Sequence, residues 1–299
     1  MFFKRLFSTV ILLAIFSCII FGEKIFGTPW VSNAAFLIFG GFLSYFVPYE
    51  TCNMLKQAGK PVFAKLTSGL IFLVFLFPAA FGIFSKILRE YITMISLEIF
   101  FVILVCILFF LFAFPWILLL FIIGKEGGLE RILNSCAVGV LFIFPFLLLE
   151  TIYFEFGEKV FLFFVIGTKI GDIGAYVFGT LSNKLMKGGN HKMIPSISPG
   201  KSWEGAAGGL LVSILFSVCL FGYSFPDLPQ YGVWLSIVIG AVLFIFGAAG
   251  DLAESCIKRV CGVKDSGKTL PGIGGVFDLV DSLLLNSVIF TLILFLIKR

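Results

Sequence analysis

Apolar runs of about 20 residues, parted by short polar breaks, recur along almost the whole chain, and each is long enough for a helix that crosses a bilayer. The clean apolar–polar alternation of barrel strands is absent. The pattern predicts spans at roughly 6–25, 30–47, 62–83, 91–124, 132–154, 159–181, 205–221, 233–249 and 279–297. The second is expected to end at Pro48. The stretch 91–124 is too long for one untilted span and too short for two, so it counts as one, with Pro115 placed to kink it. The expectation is an all-α, polytopic integral membrane helical bundle of about nine transmembrane helices, because lipid demands that backbone groups bond within the segment.

Composition agrees. Of 299 residues, 60% are hydrophobic and only 13% charged, against roughly a quarter charged in soluble proteins. A mean hydropathy of +1.11 excludes an ordinary soluble domain. Residues 2–22 have the look of a signal peptide, with Lys4 and Arg5 before an apolar core, but no small-residue cleavage site follows, so a retained first span is expected. The cysteines lack the spacing of a disulfide framework, Cys256 and Cys261 are too far apart for a usual zinc pair, and the single His excludes a His-rich metal site. No nucleic-acid partner is expected. The chain divides into an N-terminal membrane region, 1–155, and a C-terminal region, 156–299, that holds nearly all the candidate chemistry.

The sixth predicted span differs from those before it. Lys169 and Asp172 lie within it, and ionisable residues inside a span face a bundle interior or a wet cavity. They could staple two helices or form a polar wall of a site. Gly167, Gly171, Gly174 and Ala175 would let another helix approach closely. A basic loop follows, about Ser182–Ser202, with Lys184, Lys187, His191, Lys192 and Lys201. A second basic stretch follows the eighth span, with Lys258, Arg259, Lys264 and Lys268. Two spans separate these loops, and the turn between the spans, about Tyr223–Tyr231, has neither Lys nor Arg. Both basic loops are therefore assigned to the cytoplasmic side, with Lys4 and Arg5. Lys86, Arg89, Lys298 and Arg299 run against that assignment.

Acids and bases crowd most densely from Gly250 to Asp281. Asp251, Glu254, Asp265, Asp278 and Asp281 offer the hard oxygens that Mg²⁺ prefers. Lys258, Arg259, Lys264 and Lys268 offer positive charge for phosphates. Pro271, Gly272, Gly274 and Gly275 offer a tight backbone that a ligand can approach.

This stretch resembles the signature of the phosphatidate cytidylyltransferases (CDP-diacylglycerol synthases). Ser255, Lys258, Arg259, Lys264, Asp265, Leu270, Pro271, Gly272, Gly274, Gly275, Asp278 and Asp281 fall in register with it. Ile273 stands where the family usually has His, and Leu279 where it usually has Arg. A second block is similar to the same family: Asp172, Gly174, Ala175 and Tyr176, then His191 and Lys192, then Ser198, Pro199, Lys201, Ser202, Trp203, Glu204 and Gly205. Ser202 replaces a usual Thr, Thr180 stands where Arg often follows Gly179, and the loop before His191 is a few residues longer. The resemblance covers about the last 130 residues, and the first half matches only in having several spans.

The resemblance implies transfer of the cytidylyl group of CTP to phosphatidic acid, giving CDP-diacylglycerol and pyrophosphate. It implies Mg²⁺, with room for a second cation, on Asp251 and Asp278, with Asp281 a further candidate. The catalytic set it implies is Asp251, Ser255, Lys258, Arg259, Lys264 and Asp265, with Lys201, Ser202, Ser198, Lys192 and Asp172 facing substrate. A homodimer is compatible with it, as is a bacterial inner (cell) membrane with the site toward the cytoplasm. Three alternatives stay open: an impaired relative, motivated by Ile273 and Leu279; a relative with a different lipid acceptor; and a transporter with Lys169 and Asp172 on its pathway.

Overall fold

The computed structural model describes residues 2–88, 112–119, 128–226, 232–272 and 274–298. In chain order the elements are α1 (Phe2–Phe26), α2 (Pro29–Gln57), α3 (Ala64–Leu88), α4 (residues 112–119), α5 (Gly128–Phe156), α6 (Glu158–Leu185), β1 (Lys192–Ile194), β2 (Ser198–Ser202), α7 (Trp203–Ser224), α8 (Gly232–Val260) and α9 (Phe277–Lys298). The fold is all-α apart from the small β1–β2 ribbon. Among the described residues, α2, α5, α6, α7, α8 and α9 are long and apolar enough to cross a membrane. The chain is an integral membrane protein. Helices α1 and α3 lie where the first and third spans were expected, and most of the fourth, 91–124, lies outside the described residues.

Two boundaries differ from the sequence expectation, for one reason. Helix α2 does not stop at Pro48 but runs to Gln57, and α8 does not stop near Ala249 but runs to Val260. In apolar surroundings an unpaired backbone group costs several kcal/mol. Continuing through Pro48 forfeits one hydrogen bond, whereas ending the helix there would leave a full set of terminal carbonyls unpaired. Nearby, Ser44 Oγ donates to Gly41 O (3.0 Å) and Thr51 Oγ1 donates to Val47 O (3.0 Å).

The chain forms two compact units, Met1–Glu150 with Cys261–Phe277, and Thr151–Val260 with Asp278–Arg299. In the first, Phe75 packs against Phe36 of α2 and Phe146 of α5. Leu70, Trp116 and Ile132 form a buried cluster that ties α3, α4 and α5 together. The α3 entry is fixed by polar contacts, with Ser135 Oγ accepting from the Phe63 N–H (2.9 Å) and Asn134 Nδ2 donating to Pro61 O (3.1 Å).

The second unit packs through small residues, as the glycines of the sixth span predict. A Cβ on Gly174 would lie 2.9 Å from Val212 Cβ, and one on Gly209 would lie 2.7 Å from Gly171 O, so the α6 and α7 backbones nearly touch. Ser213 Oγ on α7 donates to Gly240 O on α8 (2.9 Å). Asn286 of α9 donates through Nδ2 to Leu243 O on α8 (2.7 Å) and Thr168 Oγ1 on α6 (3.1 Å). One buried amide thus joins three helices where water is excluded. The β1–β2 ribbon pairs Lys192 with Ser202 and Ile194 with Ser198. The sequence expectation for this segment is a basic loop, and the ribbon departs from it even though β2 contains Pro199. In a two-stranded ribbon every strand is an edge, where a missing N–H is tolerated.

Close α7–α8 packing makes a direct prediction. A Cβ on Gly240 would lie 2.7 Å from Ile214 Cα and 2.8 Å from Ser213 O, backbone atoms that cannot move aside cheaply. Gly240→Leu should destabilise by about 1–3 kcal/mol or more. Gly222→Ala, with nothing within 4 Å, should leave thermal unfolding in detergent unchanged or raise it. Equal melting temperatures for wild type and Gly240→Leu would refute this packing.

Candidate active site

The extension of α8 past Ala249 determines the site. Asp251, Glu254, Ser255 and Lys258 recur at helical spacing and so share one face. Helix α9 presents Asp278 and Asp281 three residues apart, again on one face. The two backbones meet closely, since a Cβ on Gly250 would lie 2.7 Å from Asp281 O. The result is a group of three acids, Asp251, Glu254 and Asp281, with one carboxyl oxygen from each within 4.8 Å of the others.

Three lysines surround this group, each from a different helix or strand. Lys201 of β2 reaches Asp251 Oδ2 (2.8 Å) and donates to Ala248 O (3.1 Å). Lys258 of α8 bridges Glu254 Oε2 (2.7 Å) and Asp278 Oδ1 (2.8 Å). Lys169 of α6 donates to Ser282 Oγ (2.7 Å) and stands 3.5 Å from Asp281 Oδ1 and 3.7 Å from Asp172 Oδ2. Ser282 Oγ in turn donates to Asp172 Oδ2 (3.2 Å), and its N–H donates to Asp281 Oδ1 (2.6 Å). Lys169 and Asp172 therefore both staple α6 to α9 and wall the acidic group, so the two readings of that pair describe one structure.

The charges do not balance within the set. Asp172, Asp251, Glu254, Asp278 and Asp281 face Lys169, Lys201 and Lys258, so with every one of these groups ionised the acids outnumber the bases by two. Buried charge is costly unless paired. Glu254 is 2% exposed, and its Oε1 has no hydrogen-bond partner. An all-oxygen donor set with a buried oxygen left over fits a hard divalent cation such as Mg²⁺, which is held by one or two carboxylates and keeps sites for water and phosphate. Asp251, only partly buried, leaves one side of the group open. Burial pushes the Cys261 thiol pKa up, which favours the protonated form that binds metals poorly.

Two of the three expected metal ligands, Asp251 and Asp281, come together here. Asp278 is not one of the three acids of that group but adjoins it, bridged to Glu254 by Lys258, and Glu254 is the third member. Glu254 stood among the hard-oxygen donors in the sequence but was not singled out, because its segment was read as a loop. As a helix, the segment puts Glu254 three residues from Asp251 and on its face. Ser282 has no part in the sequence expectation, whereas Lys169 enters it as a candidate wall of a site.

The other expected residues are distributed as follows. Ser255 is buried beside Glu254 on α8. Arg259 is exposed at the α8 end, and its Nε donates to Ile197 O (3.2 Å), which ties that end to the ribbon. Ser202 is buried and caps α7, its Oγ accepting from the Gly205 N–H (3.1 Å). Ser198 lies partly buried in β2, and Lys192 is exposed in β1. His191 is fastened to the Glu204 carboxyl by its N–H and by Nδ1 (2.6 Å). Lys264 and Asp265 are exposed on the Cys261–Phe277 stretch of the first unit. Leu279 is partly buried on α9, and Ile273 lies outside the described residues.

The fold and site define an all-α integral membrane protein whose polar centre suits a divalent cation and phosphate groups. The family model described as "Cytidylyltransferase family" matches residues 3–297, and the chain belongs to that family. Among curated relatives, a phosphatidate cytidylyltransferase of Staphylococcus epidermidis is 46% identical over 126 residues, 42% of this chain and 45% of the relative. One of Staphylococcus haemolyticus is 45% identical over 111 residues, 37% of this chain and 39% of the relative. One of Mycobacterium bovis is 33% identical over 153 residues, 51% of this chain and 44% of the relative. The chain thus spans less than half the length of each of these relatives in the matched region.

The acidic trio predicts a ranking of variants. Glu254→Gln and Asp281→Asn should each weaken Mg²⁺ binding to the purified protein by about 10–100-fold, and Asp278→Asn by less, read by titration calorimetry or by the Mg²⁺-dependent rise in melting temperature. An Asp278→Asn effect larger than that of Glu254→Gln would overturn the assignment of the trio.

Proposed function

We propose that this chain transfers the cytidylyl group of CTP to phosphatidic acid, leaving CDP-diacylglycerol in the membrane and releasing pyrophosphate. The observation that carries the reading is the Asp251–Glu254–Asp281 group with its lysine surround, in a chain that belongs to the cytidylyltransferase family. The names of the curated relatives support phosphatidate as the acceptor.

In this reaction an oxygen of the lipid phosphate forms a bond to the α-phosphorus of CTP. The bond from that phosphorus to the oxygen bridging to the β-phosphorus breaks, and pyrophosphate leaves with that oxygen. The attacking phosphate is already anionic near neutral pH, so no general base is required. The obstacle is bringing two strongly anionic groups together, and catalysis is positioning and charge neutralisation. Mg²⁺ on Asp251, Glu254 and Asp281 would neutralise phosphate oxygens and fix their orientation. Lys201, Lys258 and Lys169 act as point charges around the same position. Their pairing with carboxyl groups holds each ammonium in place before substrate arrives. Ser255, Arg259, Lys264 and Asp265 are assigned to the reaction by the resemblance of their motif. Asp172 orients Lys169 through Ser282.

The protein works in a bacterial cell (inner) membrane with the site on the cytoplasmic side, where CTP is found. The bacterial relatives support this, as does the Arg259–Ile197 contact, which joins the basic end of α8 to the basic loop that carries the ribbon.

Purified protein in mixed micelles with CTP, Mg²⁺ and dioleoyl phosphatidic acid should release pyrophosphate, and chelation of Mg²⁺ should stop it. Lys201→Met and Asp251→Asn should each lower kcat by about 10²–10³-fold, as expected for groups aimed at developing charge. Turnover only with another lipid phosphate would replace the acceptor. Folded protein that binds CTP without turnover under any acceptor would sink the reading.

A further inference from the structure

Glu50 lies on α2, far from both motif blocks in sequence, yet it is 3% exposed and every hydrogen bond recorded for its carboxyl group comes from one distant stretch. Ser266 Oγ donates to its Oε2 (3.2 Å), Thr269 Oγ1 to its Oε1 (2.6 Å), and the Phe277 N–H to its Oε2 (3.0 Å). All these residues belong to the first unit. A buried carboxyl group needs such donors, because its desolvation is otherwise uncompensated.

The three donors are placed with some economy. The stretch Cys261–Phe277 turns back on itself, with Leu270 and Gly274 exchanging both backbone hydrogen bonds (3.0 and 3.1 Å). Ser266 and Thr269 lie on the arm before that turn and Phe277 on the arm after it, so one carboxyl group holds both arms. The backbone closes tightly around it. A Cβ on Gly275 would stand 2.7 Å from Glu50 Oε2, and one on Gly267 would collide with the same group. Phe277 opens α9, where the first N–H groups lack helical partners and negative charge is favoured. Each end of the clamp borders motif residues: Lys264 and Asp265 directly precede Ser266, and Asp278 directly follows Phe277.

We propose that Glu50 is a positioning residue, whose carboxyl group fixes the arms of the Cys261–Phe277 stretch and the first residue of α9, and thereby the motif residues at either end. The catalytic consequence rests on the cytidylyl-transfer reading; the clamp itself rests on the hydrogen-bond geometry. Glu50 touches no reacting atom in this account.

Two readouts test it on the full-length protein in detergent. Hydrogen exchange of amides 262–277, measured without substrate, should be faster by tenfold or more in Glu50→Ala, while amides of α6, α7 and α8 keep their wild-type rates. In the transfer assay, Glu50→Ala should lower kcat by about 10²-fold, the scale of a small misplacement remote from the chemistry, with a smaller change in KM for CTP. Glu50→Gln keeps an acceptor oxygen and should recover most of both effects. If Glu50→Ala fails to fold, the Ser266→Ala, Thr269→Val double variant, which leaves Glu50 in place, should show the same loosened stretch. Unchanged exchange across 262–277 in the folded variant overturns the clamp, and loosened exchange with unchanged kcat overturns its positioning role. A wild-type protein inactive toward CTP and phosphatidic acid would sink the reaction reading, while the exchange result would still decide the clamp.

Discussion

Negative charge held among membrane-spanning helices is the constraint on which the second unit depends. Among the described residues, five carboxyl groups from α6, α8 and α9 converge with three lysines that pair with them. Lys258–Glu254 is the most buried of these pairs, and breaking a buried ion pair by removing one partner costs roughly 3–5 kcal/mol; the Lys169 and Lys201 pairs are more exposed and contribute less. Lys169 ties α6 to α9, Lys258 ties α8 to α9, and Lys201 ties the ribbon to α8. The same arrangement leaves a buried oxygen on Glu254 and an excess of negative charge. The features that hold the helices together therefore also prepare a place for a cation and the phosphates it would bring.

Two kinds of contact let these charges approach one another. Small residues remove the side-chain layer between helices, at Gly174 and Gly209 between α6 and α7 and at Gly250 between α8 and α9. Single polar side chains then satisfy groups that water cannot reach, as Asn286 does for α6 and α8. In the first unit Glu50 has the corresponding role for a segment with little regular structure of its own. Buried polar groups of an irregular segment need partners within the protein, and one carboxyl group meets the Phe277 N–H and the Ser266 and Thr269 hydroxyls.

Much of this was legible in the sequence, and the gaps have identifiable causes. Hydropathy alone gave the all-α membrane class, since nothing but helices satisfies runs such as Val233–Ala249 in lipid. The register of charged residues pointed to Asp251, Asp281, Lys201 and Lys258. What hydropathy cannot show is a helix that continues after its apolar run has ended. The polar end of α8 looked like a loop, so the helical spacing of Asp251, Glu254 and Lys258 was not used, and Asp278 entered the expected metal set through the resemblance alone. That spacing was the signal available. Contacts between residues distant in sequence, such as Glu50 with Ser266 or Lys169 with Ser282, leave no local pattern, and strands as short as β1 and β2 leave no alternation to read.

The central claim is that the α-phosphorus of CTP is the atom attacked and that the membrane lipid is the acceptor. It is tested most directly by following two labels through the same reaction. CTP labelled at the α-phosphorus and CTP labelled at the γ-phosphorus would be given separately to the purified protein with Mg²⁺ and phosphatidic acid, and the products divided between chloroform and water. The account predicts α-label in the lipid phase and γ-label in aqueous pyrophosphate. Label from the γ-phosphorus in the lipid, or α-label confined to water as lipid is consumed, would contradict it.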